Sequence, residues 1–351
     1  MQNRSFTRRG FLYSSMALPW LAATRFESIP DDLRTPYKIN RLLIAPSSVA
    51  GTFDCQGADA PFVFRHEDSF CLTYIGFDGE GYQTGLASST NLIEWKKEGV
   101  ILRRDPDNPV TRYNVALTWI LRENGLFSSG HLKKVRGRYL GVYHAYPMPG
   151  YEAGPAVIGL GWSPDLRKWE LDEPFLRPEE GQPWEQGGLY KACLLEHQGT
   201  YYLFYNAKTR GKRWREQTGF VSSRDLKAWR RFEGNPVIRN GPRGSADEIF
   251  ASDPCVLQYA EGWAIFYYGL DAKGVARDLL ALSPDLRRFT KCRGVLTDVG
   301  PPGSVDSKYA HKPSVIYHQG VLYHFYCAVS PEFGRGISVA TSQPVGMSTI
   351  P

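Results

Sequence analysis

Beyond its first 24 residues, the 351-residue sequence contains no run of about 18 apolar residues, the length that a helix needs to cross a membrane. Its six cysteines show no spacing typical of a zinc site. The net charge of +6 is modest and falls further if the arginine-rich N-terminus is removed. These absences argue against a membrane-spanning protein, a zinc protein and a nucleic-acid-binding protein.

The N-terminus has the pattern of an export signal. TRRGFL, at residues 7–12, contains a twin arginine, and the apolar run FLYSSMALPWLAA follows before the sequence turns polar near Thr24. A charged flank, a short apolar centre and small residues at its end are the parts of such a signal. We therefore predict that residues 1–24 are a twin-arginine export signal read by the twin-arginine machinery. The mature protein is then expected to be periplasmic or secreted.

A short phrase recurs along the rest of the chain. Its copies are SSTNLIEW from Ser88, SPDLRKW from Ser163, SRDLKAW from Ser223, SPDLRRF from Ser283 and a degenerate copy that begins at Ser342. The later copies lie about 60 residues apart, a period typical of repeat architectures. The aspartates of the phrase recur with it, so we predict that they are turn residues: Asp165, Asp225 and Asp285.

Each repeat predicts four β-strands, because four short apolar or alternating segments are separated by Gly and Asp turns. Five such units describe an all-β fold, a five-bladed β-propeller with four-stranded antiparallel blades. The fifth unit has no fourth strand after Ser342, and INRLLIAPS, at residues 39–47, is predicted to supply it and close the ring. We predict that residues 25–351 form this single catalytic domain.

In a propeller, the first strands of the blades would open together on one central mouth. Aligning the units places five residue pairs at equivalent positions: Asp59-Ala60, Ser129-Gly130, Tyr190-Lys191, Ser252-Asp253 and His311-Lys312. Two carboxylates and several donors would then share this mouth. Further acids precede the first strands, namely Asp54, Glu185, Asp247, Glu248 and Asp306.

These units, with ADAPFVF and SDPCVLQ opening two of them and aromatic strands such as TYYLFYNA following, resemble the five-bladed propeller glycoside hydrolases. That superfamily includes families 43, 62, 32, 68 and 130, and the resemblance covers about residues 39–343. As in families 43 and 62, it implies an aspartate in blade one as general base, an orienting aspartate in blade two and a glutamate near blade three as general acid. Asp59 fits the first role and Glu185 is the nearest acid for the third. SSGHLKKV in unit two has no acid, so Asp253 is the candidate substitute.

Glycosidic bond cleavage needs a carboxylic acid at the leaving oxygen and a carboxylate on the opposite face. Asp59, Glu185 and Asp253 are therefore the catalytic candidates. Their alternative roles are turn or strand-capping residues for the two aspartates and a solvated loop acid for Glu185. The predicted substrate-binding residues are cations and their neighbours: Lys191, His311, Lys312, His131, Tyr190 and Tyr309. Such donors favour a substrate with an anionic group, for example a uronic acid, and they would also bind phosphate.

The leading expectation is an exported, family 43-like glycoside hydrolase that acts on polysaccharide-derived oligosaccharides, including those with uronic or other anionic sugars. The alternatives are a family 130-like glycoside phosphorylase and a carbohydrate-binding propeller without catalysis. No cofactor is expected. The resemblance allows a structural Ca²⁺, although no oxygen-rich ligand string indicates one.

Overall fold

The structure is a computed structural model that describes residues 28–211 and 213–345. The predicted export signal, residues 1–24, lies outside these residues. Strands dominate, and the only helices in the described part of the chain are two 3₁₀ turns, Asp31–Leu33 and Pro178–Glu180. No helix in the described ranges is long and apolar enough to span a membrane.

The strands form five successive units, each with four antiparallel strands. Unit one contains β2 (Gly57–His66), β3 (Ser69–Phe77), β4 (Tyr82–Ser89) and β5 (Lys96–Leu102). Unit two contains β6 (Ala116–Ile120), β8 (Arg138–Ala145), β9 (Val157–Ser163) and β10 (Glu170–Leu171), with β7 (Lys134–Val135) beside β8. Unit three contains β11 (Gly188–His197), β12 (Thr200–Lys208), β13 (Glu216–Ser223) and β14 (Arg230–Arg231).

The last two units complete the set. Unit four contains β15 (Phe250–Tyr259), β16 (Gly262–Leu270), β17 (Ala276–Ser283) and β18 (Thr290–Lys291). Unit five contains β19 (Tyr309–His318), β20 (Val321–Ser330), β21 (Gly334–Thr341) and β1 (Tyr37–Lys38). The middle strands are buried along most of their length, and their side chains build the apolar core between units.

The recurring phrase forms the same turn in units two, three and four. In unit two, Ser163 Oγ accepts a hydrogen bond from the Leu166 amide at 2.8 Å, and Asp165 Oδ1 accepts from the amides of Arg167 and Lys168. Asp225 and Asp285 make equivalent bonds. The prediction that these aspartates are turn residues is confirmed.

The N-terminal segment supplies the fourth strand of unit five. Lys38 pairs with Ala340 of β21, and the Leu43 amide donates to the Ile337 carbonyl at 2.7 Å. The regular strand, Tyr37–Lys38, therefore lies just before the predicted range 39–47, which contacts β21 through single backbone hydrogen bonds and the isolated bridge of Ile44 with Ile337. The side chain of Ile44 is 1% exposed and packs in the apolar cluster that units one and five share.

A buried contact of three side chains recurs in four units. An acid before the first strand accepts a hydrogen bond from a tyrosine of the second strand and pairs with a cation of the fourth strand. The sets are Asp54–Tyr74–Lys97, Glu185–Tyr205–Arg231, Asp247–Tyr267–Lys291 and Asp306–Tyr326–Lys38. Lys38 of β1 thus takes in unit five the place that the cations of β5, β14 and β18 take in the other units.

The first strand of unit two differs from its predicted position. GHLKKV was expected there, but β6, Ala116–Ile120, pairs with β8 in that role, and LKKV lies in the added β7 hairpin. The equivalent of Asp253 in unit two is therefore Leu117. The alignment failed because unit two has about 14 more residues before its phrase than the others.

First strands of neighbouring units contact one another. The Val63 amide of β2 donates to Ser314 Oγ of β19 at 3.0 Å, and Thr118 Oγ1 of β6 donates to the Ala192 carbonyl of β11 at 3.4 Å. The buried Arg122 guanidinium donates to the carbonyls of Val63 and Val315 at 2.7 Å each. Units one, two and five are thereby joined at their first strands.

Replacing Ile44 with alanine tests whether the N-terminal segment holds unit five. We expect Ile44→Ala to lower the free energy of unfolding by about 2–4 kcal/mol, because a fully buried side chain is removed from the shared cluster. Val49→Ala, at a site that is 62% exposed, is the control and should change it by less than about 0.5 kcal/mol. Equal midpoints for both variants in denaturant titrations would contradict this account.

Candidate active site

The first strands share a β-bulge near their N-terminal ends. In four of them the bulge contains a non-glycine residue with positive φ: Ala60 (48°), Lys191 (43°), Asp253 (53°) and Lys312 (67°). Such backbone is strained for L-residues, and bulges next to functional sites turn side chains in a new direction. Here the bulges point three charged side chains into one pocket.

The pocket is closed by aromatic side chains and one long loop. Besides the bulge residues it is lined by Asp59, Ile75, Tyr82, His144, Tyr146, Glu152 and Tyr190. Tyr146 and Glu152 belong to the connection between β8 and β9. This connection is longer than the turns at the same place in the other units.

The first carboxyl pair, Asp59 and Glu152, is bridged by one lysine. Lys312 Nζ lies 2.9 Å from Asp59 Oδ2 and 3.3 Å from Glu152 Oε1. Asp59 Oδ2 also pairs with Arg335 at 3.0 Å and accepts from the Tyr151 hydroxyl at 2.6 Å. Burial would raise the pKa of Asp59, but Lys312 and Arg335 hold it well below its usual range. Asp59 is therefore ionised at neutral pH.

The second pair, Asp253 and Glu216, is bridged by an amide. Asn206 Nδ2 donates to Glu216 Oε2 at 2.8 Å and to Asp253 Oδ1 at 3.2 Å. Burial raises the pKa of Asp253 to about 8; the nearby lysines oppose this shift and Glu216 adds to it. Burial, with the charge of Glu152, also raises the pKa of Glu216, although the hydroxyls of Ser252 and Tyr190 donate to it. This pair retains a proton at neutral pH.

The other titratable groups around the pocket are largely neutral or internally paired. Burial lowers the pKa of His144 and of His311 to about 3, so neither ring is charged at neutral pH. Lys191 Nζ donates to the Pro61 carbonyl at 3.4 Å, and burial lowers its pKa. Lys312, in contrast, is fixed as a cation by Asp59 and Glu152.

Most of the residues predicted to form the site lie together. Asp59, Asp253, Lys191, Lys312 and Tyr190 line the pocket. His311 lies just behind it, where Nδ1 contacts the Cys327 carbonyl at 3.0 Å and the ring packs against Tyr268 and Tyr309. Their roles in catalysis and substrate binding stay predictions.

Two predicted residues lie elsewhere. Glu185 is 1% exposed and belongs to the recurring contact with Tyr205 (2.7 Å) and Arg231 (3.1 Å), so it is not a pocket acid. His131 is paired with Arg65 near the far end of β2, because the segment that was taken as a first strand is the added hairpin.

The sequence reasoning missed Glu152 and Glu216. Glu216 opens β13, and by strand register the equivalent residues of the other units are Tyr82, Ala156, Ala276 and Arg335. An acid at that position in one unit alone was a usable signal. Glu152 lies in the long MPGYEAGP connection, and the length of that connection was the other signal.

Among the described residues, no group of three or more His, Cys, Asp or Glu side chains has the geometry of a metal site. The predicted absence of a cofactor stays a prediction.

Comparison with known proteins now defines the class. Residues 129–301 match the glycosyl hydrolases family 32 N-terminal domain. A solved complex described as BT0996 with RGII is similar, with 31% sequence identity, a TM-score of 0.79 and coverage of 92% of this protein and 95% of that one. A structure described as a glycoside hydrolase has 29% identity and a TM-score of 0.77, over 91% of this protein and 94% of that one. These matches indicate an all-β protein that acts on glycosidic bonds.

The protein belongs to the propeller glycoside hydrolase superfamily. A curated relative, the 1,2-beta-oligomannan phosphorylase of Thermoanaerobacter sp. (strain X514), is 26% identical over 159 residues. That match spans 44% of this protein and 44% of the relative, less than half the length of either. The superfamily is therefore established, whereas the choice between hydrolysis and phosphorolysis is not fixed by these relatives.

The recurring contact predicts that Glu185 stabilises the fold and takes no part in turnover. We expect Glu185→Gln to lower the free energy of unfolding by about 2 kcal/mol, because a charge-assisted buried contact is weakened. Its kcat/KM should stay within about threefold of wild type. Asp54→Asn, in the same contact of unit one, is the matched control and should behave alike. Loss of turnover in Glu185→Gln alone, with an unchanged Tm, would overturn this assignment.

Proposed function

We propose that the protein hydrolyses glycosidic bonds, with the Asp253–Glu216 pair as the proton donor and Glu152 as the carboxylate opposite it. The observation that carries the proposal is the contrast between the two carboxyl pairs of one pocket. Burial keeps a proton on one pair, whereas Lys312 and Arg335 keep the neighbouring carboxylate of Asp59 ionised. Environments that separate the pKa values of neighbouring acids in this way identify acid and base roles.

The proton is assigned to the pair as a unit. Asn206 bridges Asp253 and Glu216, and the charge of Glu216 adds to the electrostatic cost of ionising Asp253. Two carboxyl groups coupled in this way titrate together. Asp253 faces the pocket and can reach a glycosidic oxygen, while Glu216 lies behind it among four donors, Tyr190, Asn206, Ser252 and Tyr268.

Glu152 is proposed as the carboxylate on the face of the sugar opposite the proton donor, because it has fewer partners than Asp59. Its side chain is 16% exposed, and within the described residues it has one ion pair, with Lys312. Asp59 Oδ2 is occupied by Lys312, Arg335 and Tyr151, and Asp59 Oδ1 accepts from the Ala60 amide at 2.7 Å. Asp59 is then the residue that fixes Lys312. Its role as general base stays a prediction.

We also propose that the five units are the blades of one closed propeller and that residues 25–351 form one catalytic domain. The contacts between first strands and the place of Lys38 in unit five support this arrangement. Export by the twin-arginine pathway to the periplasm or beyond belongs to the same proposal and rests on residues 1–24 of the sequence. The substrate is proposed to be an oligosaccharide, and the match to a glycosyl hydrolase domain supports this class.

Phosphorolysis is the second candidate, and one observation favours it: the curated relative is a phosphorylase. In that reaction phosphate replaces water as the acceptor of the glycosyl group. The proton donor would keep its role, because the leaving oxygen must be protonated in either case.

Substitutions of the three proposed acids should reduce turnover by different routes. We expect Asp253→Asn, Glu216→Gln and Glu152→Gln each to lose about 10²–10⁴-fold in kcat on oligosaccharides, because a group that transfers a proton or stabilises charge is removed. Dinitrophenyl glycosides should restore activity to the first two variants only, since that leaving group departs without a proton. Glu261→Gln, at an exposed turn, is the control and should match wild type.

The pH profile tests the donor independently. The kcat/KM of the wild type should fall as pH rises through about 8, because the Asp253 carboxyl must keep its proton to act. With dinitrophenyl glycosides this alkaline fall should be weaker. An alkaline limb that is the same for both substrate types would contradict the assignment.

Phosphate distinguishes the two reactions directly. Turnover of oligosaccharides in phosphate-free buffer, with release of the free reducing sugar, is expected for the hydrolase. A requirement for phosphate together with formation of a sugar 1-phosphate would replace hydrolysis by phosphorolysis. Binding without turnover under either condition would favour the carbohydrate-binding propeller.

A further inference from the structure

A second cleft adjoins the catalytic pocket beside β12 and β13. It has a volume of about 570 Å³, within the range of cavities that hold small ligands. Lys208, at the end of β12, lines this cleft and also contacts the rings of Tyr146 and Tyr190, which line the pocket. The two cavities therefore meet at Lys208.

Lys208 is held by aromatic rings. Its ammonium lies 4.5 Å from the ring centroid of Trp214, 5.5 Å from that of Tyr146 and 5.6 Å from that of Tyr190. It also donates to the Glu152 carbonyl at 3.4 Å. Aromatic faces and a carbonyl stabilise a cation without neutralising its charge. The side chain is fixed in place, and its positive charge remains available to a ligand.

No carboxylate of the described residues, 28–211 and 213–345, forms an ion pair with Lys208. Lys312 in the neighbouring pocket, by comparison, has two such partners. Burial lowers the pKa of Lys208, and the more distant charges of Glu152 and Glu216 oppose that shift. The cleft is also lined by Arg210 and by the acidic residue Glu179, and both are exposed. Its electrostatic character around Lys208 is positive.

We propose that Lys208 binds the carboxylate of an acidic sugar unit, seated in this cleft next to the bond that is cleaved. A charged hydrogen bond formed in a largely buried site is strong and selective, because the unbound lysine has no competing anion. Trp214, 39% exposed, provides apolar surface that a sugar ring uses and that free phosphate does not. Of the predicted lysines, Lys312 is paired with two carboxylates, and Lys191 is buried in the other pocket. The anion preference in this cleft is therefore assigned to Lys208. This inference rests on the proposed function in one respect, namely the position of the bond that is cleaved.

The kinetic test compares matched substrates. Oligosaccharides that contain a uronic acid are assayed before and after reduction of the carboxyl group to the neutral hexose. We expect wild type to prefer the acidic form by about 10–100-fold in kcat/KM, the range for a charged hydrogen bond. Lys208→Met, which keeps the apolar stem on the rings, should remove this preference and change kcat/KM for the neutral form by less than about threefold. Lys208→Arg should restore part of it.

Lys273→Met is the matched control, because it removes one charge from an exposed turn of unit four. It should leave the preference unchanged. Equal losses on acidic and neutral substrates in Lys208→Met would overturn the proposal, since they would show a structural role. Absence of any acid preference in wild type would also overturn it.

Binding separates this inference from the proposed reaction. Glucuronate and galacturonate are titrated into wild type and Lys208→Met by calorimetry, with glucose and galactose as neutral partners and inorganic phosphate as the third arm. Uronate binding that is lost in Lys208→Met supports the inference even if no glycoside is turned over. Turnover without Lys208-dependent uronate binding sustains the reaction and rejects the inference. Lys208-dependent binding of phosphate alone would assign the site to phosphate instead.

Discussion

Charge balance in one buried pocket is the constraint on which the site depends. Four carboxyl groups and two lysines meet there, largely out of water, and an unpaired buried charge is costly. Lys312 and Arg335 satisfy Asp59, and Lys312 also pairs with Glu152. Too few cations remain close to Asp253 and Glu216 for both to ionise, so this pair keeps a proton. The arrangement of fixed cations thus decides which carboxyl groups can donate a proton.

The backbone provides this concentration of charge through bulges. Asp253, Lys191 and Lys312 occupy left-handed positions in three first strands, where a regular strand would direct their side chains away from the pocket. Such strain persists only when the surrounding structure fixes it. Here the contacts between first strands and the acid–tyrosine–cation contacts of four units supply that support.

Repetition made much of the fold predictable from the sequence. The recurring phrase predicted the units and the turn aspartates, and aligning the units placed Asp253 and Lys312 at equivalent positions of the site. It failed where a unit departs from the pattern: the hairpin inserted in unit two displaced the alignment, and His131 with it. Glu185 was misassigned because a buried structural acid and a catalytic acid look alike in sequence. Its equivalents Asp54, Asp247 and Asp306 were visible, but only the tyrosine and cation partners reveal their shared role.

The proton on the Asp253–Glu216 pair is the central claim, and neutron diffraction from crystals grown near pH 7 tests it most directly. Deuterium should appear on a carboxyl oxygen of Asp253 or Glu216, with none on Asp59. Nuclear density that shows both members of the pair ionised, or a deuteron on Asp59, would contradict the account.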